Sequence, residues 1–166
     1  MFDVINGLPI HPLVVHAVVV LLPLACLGTL AIAVRPAWRA TYGVLVVGCA
    51  AVATALIPVA TSSGEALEGH VGSAGEHAEL GEQLIWFAIP LLVLSAAMVW
   101  MDHRRRAAAT AADGGSTPTS GDRRSSTGLR AVAALALVAA VATSVQVYRV
   151  GDSGARAAWE DRVQSK

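Results

Sequence analysis

Charged side chains are absent from Pro12 to Val34, and the apolar run this leaves is longer than the ~20 residues that cross a bilayer core. Three more apolar runs follow, charge-free except for Arg130 at the start of the last, so the pattern predicts four transmembrane helices at 12–34, 42–61, 84–101 and 129–148. The polar stretches between them are a short start at 1–11, a turn at 35–41, a loop at 62–83, a linker at 102–128 and a tail at 149–166. A turn as short as 35–41 forces the first two spans into an antiparallel hairpin. Residues 62–83 hold five glutamates, two histidines and no Lys or Arg, which is too polar to span. Within that loop Glu65 to Glu68 suggests one or two helical turns. Gly69, Gly72 and Gly75 interrupt them, and Glu76 to Glu82 begins the next helix. The linker is rich in Ala, Gly, Ser, Thr and Pro, a composition that cannot bury a core and reads as disordered. In the tail, a short amphipathic helix through Trp159 is expected.

Small residues recur every four positions in the spans, at Ala25, Thr29 and Ala33 and again at Ala51 and Ala55. They let helix backbones approach closely, which is how membrane bundles gain packing energy without a hydrophobic drive. Pro23, Pro58 and Pro90 each fall inside a span and mark expected kinks. The fold class that follows is all-α, an integral membrane four-helix bundle.

Composition agrees with lipid as the solvent: 55% of the 166 residues are hydrophobic, 14% are charged, and the mean hydropathy is +0.59. Basic and acidic residues balance at 12 each, so no global charge draws the chain toward nucleic acid. Only their placement informs. Arg35, Arg39, Arg104, Arg105, Arg106, Arg123, Arg124 and Arg130 all fall in the 35–41 turn or around the 102–128 linker. Asp3 and the loop glutamates fall on the other side. The positive-inside rule then places both termini and the His/Glu loop outside the cytoplasm, in a multi-pass protein of the cell membrane. The start MFDVINGLPI lacks the basic residues of a cleaved signal peptide, so the first helix is expected to stay. Cys26 and Cys49 lie within apolar spans at similar depth and read as small buried side chains rather than a disulfide framework; their redox state stays open.

The residues able to carry chemistry are His11 and His16 at the mouth of the first span and His70 and His77 in the acidic loop. His16 stands about 7.5 Å beyond His11 if that segment is helical. Neutral imidazoles are the commonest nitrogen ligands of zinc, copper and haem iron, and Glu65, Glu68, Glu76 and Glu79 could add oxygen ligands or orient a ring. A haem b site would ask for one histidine from each of two helices, for example His16 and His77. Against this, each ring could bond a loop carbonyl or face water, and no HExxH or CxxC spacing is present. His103 in the HRRR cluster reads as solvated, and the cluster itself as an orientation signal with anionic lipid headgroups as a secondary partner. None of the apolar cores contains Asp, Glu, Lys or Arg, where coupled transporters usually keep them. Dinucleotide, phosphate-loop and nucleophile-elbow motifs are missing too, and no catalytic residue is nominated.

The opening LPIHPLVVHAVVVLLP, the EHAELGE start of the third span and the VYR segment Val147, Tyr148, Arg149 together resemble an uncharacterised bacterial family of four-helix membrane proteins, domain of unknown function 2231. The resemblance covers nearly the whole chain. Ala17 and Val18 stand where the family often has Phe and Pro, and Val150 stands where a histidine is common. The resemblance implies the four-span layout and directs attention to His11, His16 and His77. It implies no catalytic role.

Three readings remain open at this point. In the first, the protein is a structural, binding or accessory membrane component, with the lipid bilayer and membrane proteins or further copies of itself as partners. In the second, it is a small redox or metal-handling protein whose outer histidines hold haem b or a transition metal. The third, a transporter or channel subunit, needs oligomerisation to build a polar path.

Overall fold

The computed structural model describes the backbone of residues 4–5, 8–71, 75–111 and 120–164, and the side chains of 11–66, 75–111, 127–157 and 159. Strands Val4–Ile5 (β1) and Leu8–Pro9 (β2) form a minimal antiparallel ribbon at the start. Four helices follow: α1 (Ile10–Val34), α2 (Trp38–Val71), α3 (Glu76–Ala111) and α4 (Ser120–Gln164). All four are long and apolar enough to cross a membrane.

Each helix packs on its sequence neighbours, and α4 closes back on α1, so the bundle is a square with α1 diagonal to α3. Two buried clusters fill it. The first centres on Leu22, Ile57 and Leu91, and the second on Ile32, Met98 and Leu129. Only 28% to 33% of each span is buried within the bundle. The outward faces carry Leu13, Leu27, Val44, Leu45, Trp86 and Val138, all more than half exposed. A surface this apolar on every side suits hydrocarbon, not water.

Close helix approach depends on glycine at two crossings. A Cβ on Gly28 would lie 2.6 Å from Val46 Cγ2, and one on Gly43 would lie 2.8 Å from Val99 Cγ2. Small-residue packing is therefore present at these glycines, and Ala25 and Thr29 of the first expected row are fully buried. Pro23, Pro58 and Pro90 all lie inside continuous helices. One turn before Pro90, α4 contacts α3 through a side chain: Thr143 Oγ1 lies 3.1 Å from the Phe87 carbonyl as well as 2.7 Å from the Ala139 carbonyl of its own helix.

The helices outrun the apolar spans. Residues 62–71 continue α2, α3 begins at Glu76, and α4 runs without a break through the tail to Gln164. The flanks are rich in Ala, Glu and Arg, good helix formers once a membrane span has supplied the nucleus. At 1.5 Å per residue the 45-residue α4 measures about 67 Å, twice the ~30 Å hydrocarbon thickness. Gly75, at φ +52°, opens α3, and its carbonyl accepts from the Ala78 and Glu79 amides. Of the expected interruptions, Gly69 lies within α2, and Gly72 lies outside the described residues. The linker expected to be disordered over 102–128 is helical at both ends, 102–111 continuing α3 and 120–128 opening α4, with 112–119 outside the described residues.

The two ends of the bundle differ in chemistry. One, the arginine end, holds the Arg35–Ala37 turn and the end of the α3 span, where Arg35 stacks on Trp38 (4.9 Å) and Arg104 on Trp100 (4.6 Å). Aromatic rings paired with cations at one level suit a membrane interface. The other, the histidine end, holds His11 and His77.

Candidate histidine site

His11 is on the first turn of α1 and His77 on the first turn of α3, so both rings sit at the same end of the square on diagonal helices. Each lies two helical turns before a buried residue of its own helix, Val18 and Leu84 respectively, and thus on the core-facing stripe. Both rings are half-buried.

Each ring bonds across to the next helix in the same manner. His11 Nδ1 lies 3.0 Å from the Ala60 carbonyl and 3.1 Å from Ser63 Oγ, both on α2. His77 Nδ1 lies 3.0 Å from the Val150 carbonyl and 3.4 Å from Ser153 Oγ, both on α4. A carbonyl oxygen only accepts, so Nδ1 carries the proton in both rings, and in the neutral imidazole Nε2 then keeps its lone pair. The serines donate in turn to the same carbonyls, at 2.9 Å and 3.0 Å. Glycine makes room for each ring: a Cβ on Gly64 would meet His11 Cε1 at 3.0 Å, and one on Gly154 would meet His77 Cε1 at 2.9 Å.

His16 behaves differently. Its Nδ1 bonds the Pro12 carbonyl of its own helix and its ring is exposed, so it ties nothing to a second helix. Glu65, Glu76 and Glu79 are exposed, as is His103. The side chains of His70 and Glu68 lie outside the described residues. Among the described residues no group of three or more His, Cys, Asp or Glu is placed to hold a metal ion.

Three features of the polar framework were not anticipated from the sequence. At the histidine end, the two Ser-Gly pairs serve as acceptors and seats for the rings. Deeper in, Gln146 Nε2 donates to the Leu80 carbonyl (3.1 Å), and Arg149 reaches Gln146 Oε1 (3.4 Å). At the arginine end, the buried Arg39 donates to the carbonyls of Ile32 (2.8 Å) and Ala33 (3.1 Å), closing the last turn of α1. Its Nη1 lies 3.7 Å from Asp102 Oδ1 on α3, and Arg106 Nε bonds Asp102 Oδ2 at 2.7 Å. In the sequence Arg39 reads only as an orientation signal and Asp102 only as part of the linker. The one available signal was a lone acid directly before a run of basic residues. Cys26 is buried and Cys49 partly so, and both are free thiols in or against the first core cluster.

Four apolar helices with lipid-suited outer faces and polar contacts gathered at the two ends define a multi-pass membrane protein. The chain belongs to the family described as Predicted membrane protein (DUF2231), whose model matches residues 7–166. No curated protein and no solved structure matches it.

Proposed function

We propose that the protein is a non-catalytic binding or accessory component of the membrane, and that the histidine end, facing out of the cytoplasm, is its working end. The arginines clustered at the opposite end support that orientation. The observation that carries the reading is the matched pair of half-buried imidazoles, each held by a carbonyl, a serine and a glycine of the neighbouring helix. Such a mouth is preorganised, and the exposed Glu65, Glu76 and Glu79 surround it with negative charge.

A second reading is favoured by the ring tautomer. Imidazoles that ligate metal commonly donate their other ring nitrogen to a carbonyl, and His11 and His77 both do so with Nε2 left without a hydrogen-bond partner among the described residues. On this reading the mouth holds haem b or a transition metal.

An absorption spectrum and metal analysis of the detergent-purified protein separate the two. A colourless, metal-free and folded protein supports the accessory reading. A Soret band or near-stoichiometric metal replaces it with the second.

A further inference from the structure

A single shift along the chain carries His11 onto His77, Leu22 onto Ala88, Ala25 onto Leu91, Thr29 onto Ser95 and Ile32 onto Met98. All of these except the two half-buried histidines are buried residues, and each pair occupies the same place on α1 and α3. A second shift carries Val46 onto Ala136, Ala50 onto Ala140 and Ala53 onto Thr143, again buried with buried, on α2 and α4. That second shift also carries Ala60 onto Val150, Ser63 onto Ser153 and Gly64 onto Gly154, which are the three elements that hold each ring.

The α1–α2 and α3–α4 hairpins are therefore two copies of one unit. Since α1 and α3 start at the same end and stand on one diagonal of the square, the copies are related by an approximate two-fold axis running along the bundle. The repetition is confined to the core and the histidine end. At the arginine end Arg39 corresponds to Leu129, and Asp102 corresponds to Pro36, so the ionic network belongs to one junction only.

Two-fold repetition gives the histidines a meaning that neither has alone. Both lie on core-facing stripes, at the same level, across the axis, with the same nitrogen protonated and the same nitrogen free. The elements around them at that level are small: Ala60, Ser63 and Gly64 on one side, Val150, Ser153 and Gly154 on the other. We infer that His11 and His77 are the two halves of one site, and that their Nε2 atoms form an axial pair for a single iron porphyrin. This rests on the second reading above and narrows it. It selects one ligand class, replaces His16 by His11 as the partner of His77, and sets one haem per chain. Paired axial imidazoles suit a planar metal complex with two open faces, whereas a bare zinc or copper ion asks for further protein ligands that the described residues do not bring together.

The test is titration of the full-length, detergent-purified chain with hemin, followed by absorption and electron paramagnetic resonance. The variants are His11→Asn and His77→Asn, because the Asn amide nitrogen can still donate to the carbonyl while the ligand nitrogen is lost. Circular dichroism of each variant confirms that it folds. Expected are saturation at one hemin per chain with a low-spin, six-coordinate spectrum, and at least tenfold weaker binding with a high-spin spectrum in either single variant. The double variant should lose saturable binding, and His16→Ala should leave it unchanged. Saturable binding that needs only one of the two histidines, that needs His16, or that takes two hemins overturns the pairing while the second reading survives. No saturable hemin binding by a folded chain overturns the pairing, and if zinc and copper also fail to bind, the second reading falls with it.

Discussion

Replacing Arg39 by Ala should destabilise the bundle far more than replacing Arg106 by Ala, although both arginines contact the same carboxylate. The Arg39 side chain is 5% exposed and that of Arg106 is 49% exposed. Truncating Arg39 removes two hydrogen bonds from a charged donor to the last-turn carbonyls of α1, each worth about 1.5–3 kcal/mol when intact. The 3.7 Å contact with Asp102 adds little, since desolvation of the guanidinium offsets most of its attraction. Asp102 is not abandoned by the change, because Arg106 still bonds it. Lost contacts are partly recovered as the carbonyls rehydrate at the membrane interface, so the net cost is about 2–4 kcal/mol. Arg106 forms an exposed ion pair within its helix and an exposed, long hydrogen bond to the Pro36 carbonyl (3.3 Å), and should cost about 0–1 kcal/mol. Asp102→Asn, which keeps shape but removes the charge facing a buried guanidinium, should fall between them. Reversible unfolding in mixed micelles with increasing dodecyl sulfate, followed by tryptophan fluorescence, measures all three. Equal costs for Arg39→Ala and Arg106→Ala would refute the assignment of Arg39 as the buried clasp between α1, α2 and α3.

Gly28→Ala and Gly43→Ala should each cost about 1–3 kcal/mol by overpacking, and Val46→Ala should restore most of the loss in the first case, as a double-mutant cycle in the same unfolding assay would read. Gly64→Ala and Gly154→Ala should push His11 and His77 off their carbonyls and lower the melting temperature by similar amounts, the similarity being the signature of the repeated unit; a loss in only one of them counts against it. For orientation, single cysteines placed at Glu79 and at Arg105 of a Cys26→Ser, Cys49→Ser chain should label with an impermeant maleimide from opposite sides of intact cells. Glu79 should react from outside, and the reverse pattern would invert the proposed topology.

Element type and number were legible because an 18-residue or longer apolar run is a strong signal, and each of the four runs lies inside one helix of the bundle. Helix ends were not, since polar flanks such as 62–71 continue a helix that the membrane span has already nucleated, without any change the bilayer enforces. His11 and His77 were legible as candidates, but His16 looked equal to His11. What separates them is the core-facing stripe: His11 falls in step with Val18 and Leu22, whereas His16 does not. The partners of the rings were hidden because they are mainly backbone carbonyls, which carry no residue signature. Arg39 and Asp102 are far apart in sequence, and both sat in stretches whose basic character had already been explained by orientation.

The most direct measurement of the histidine end is nitrogen-15 NMR of the imidazoles in the detergent-solubilised protein, with His11→Asn and His77→Asn used for assignment. In their neutral form both rings should carry the proton on Nδ1 and leave Nε2 bare, a tautomer set by the Ala60 and Val150 carbonyls. Rings protonated at Nε2, or averaged between tautomers as in free solution, would contradict the clamped pair on which the proposed working end depends.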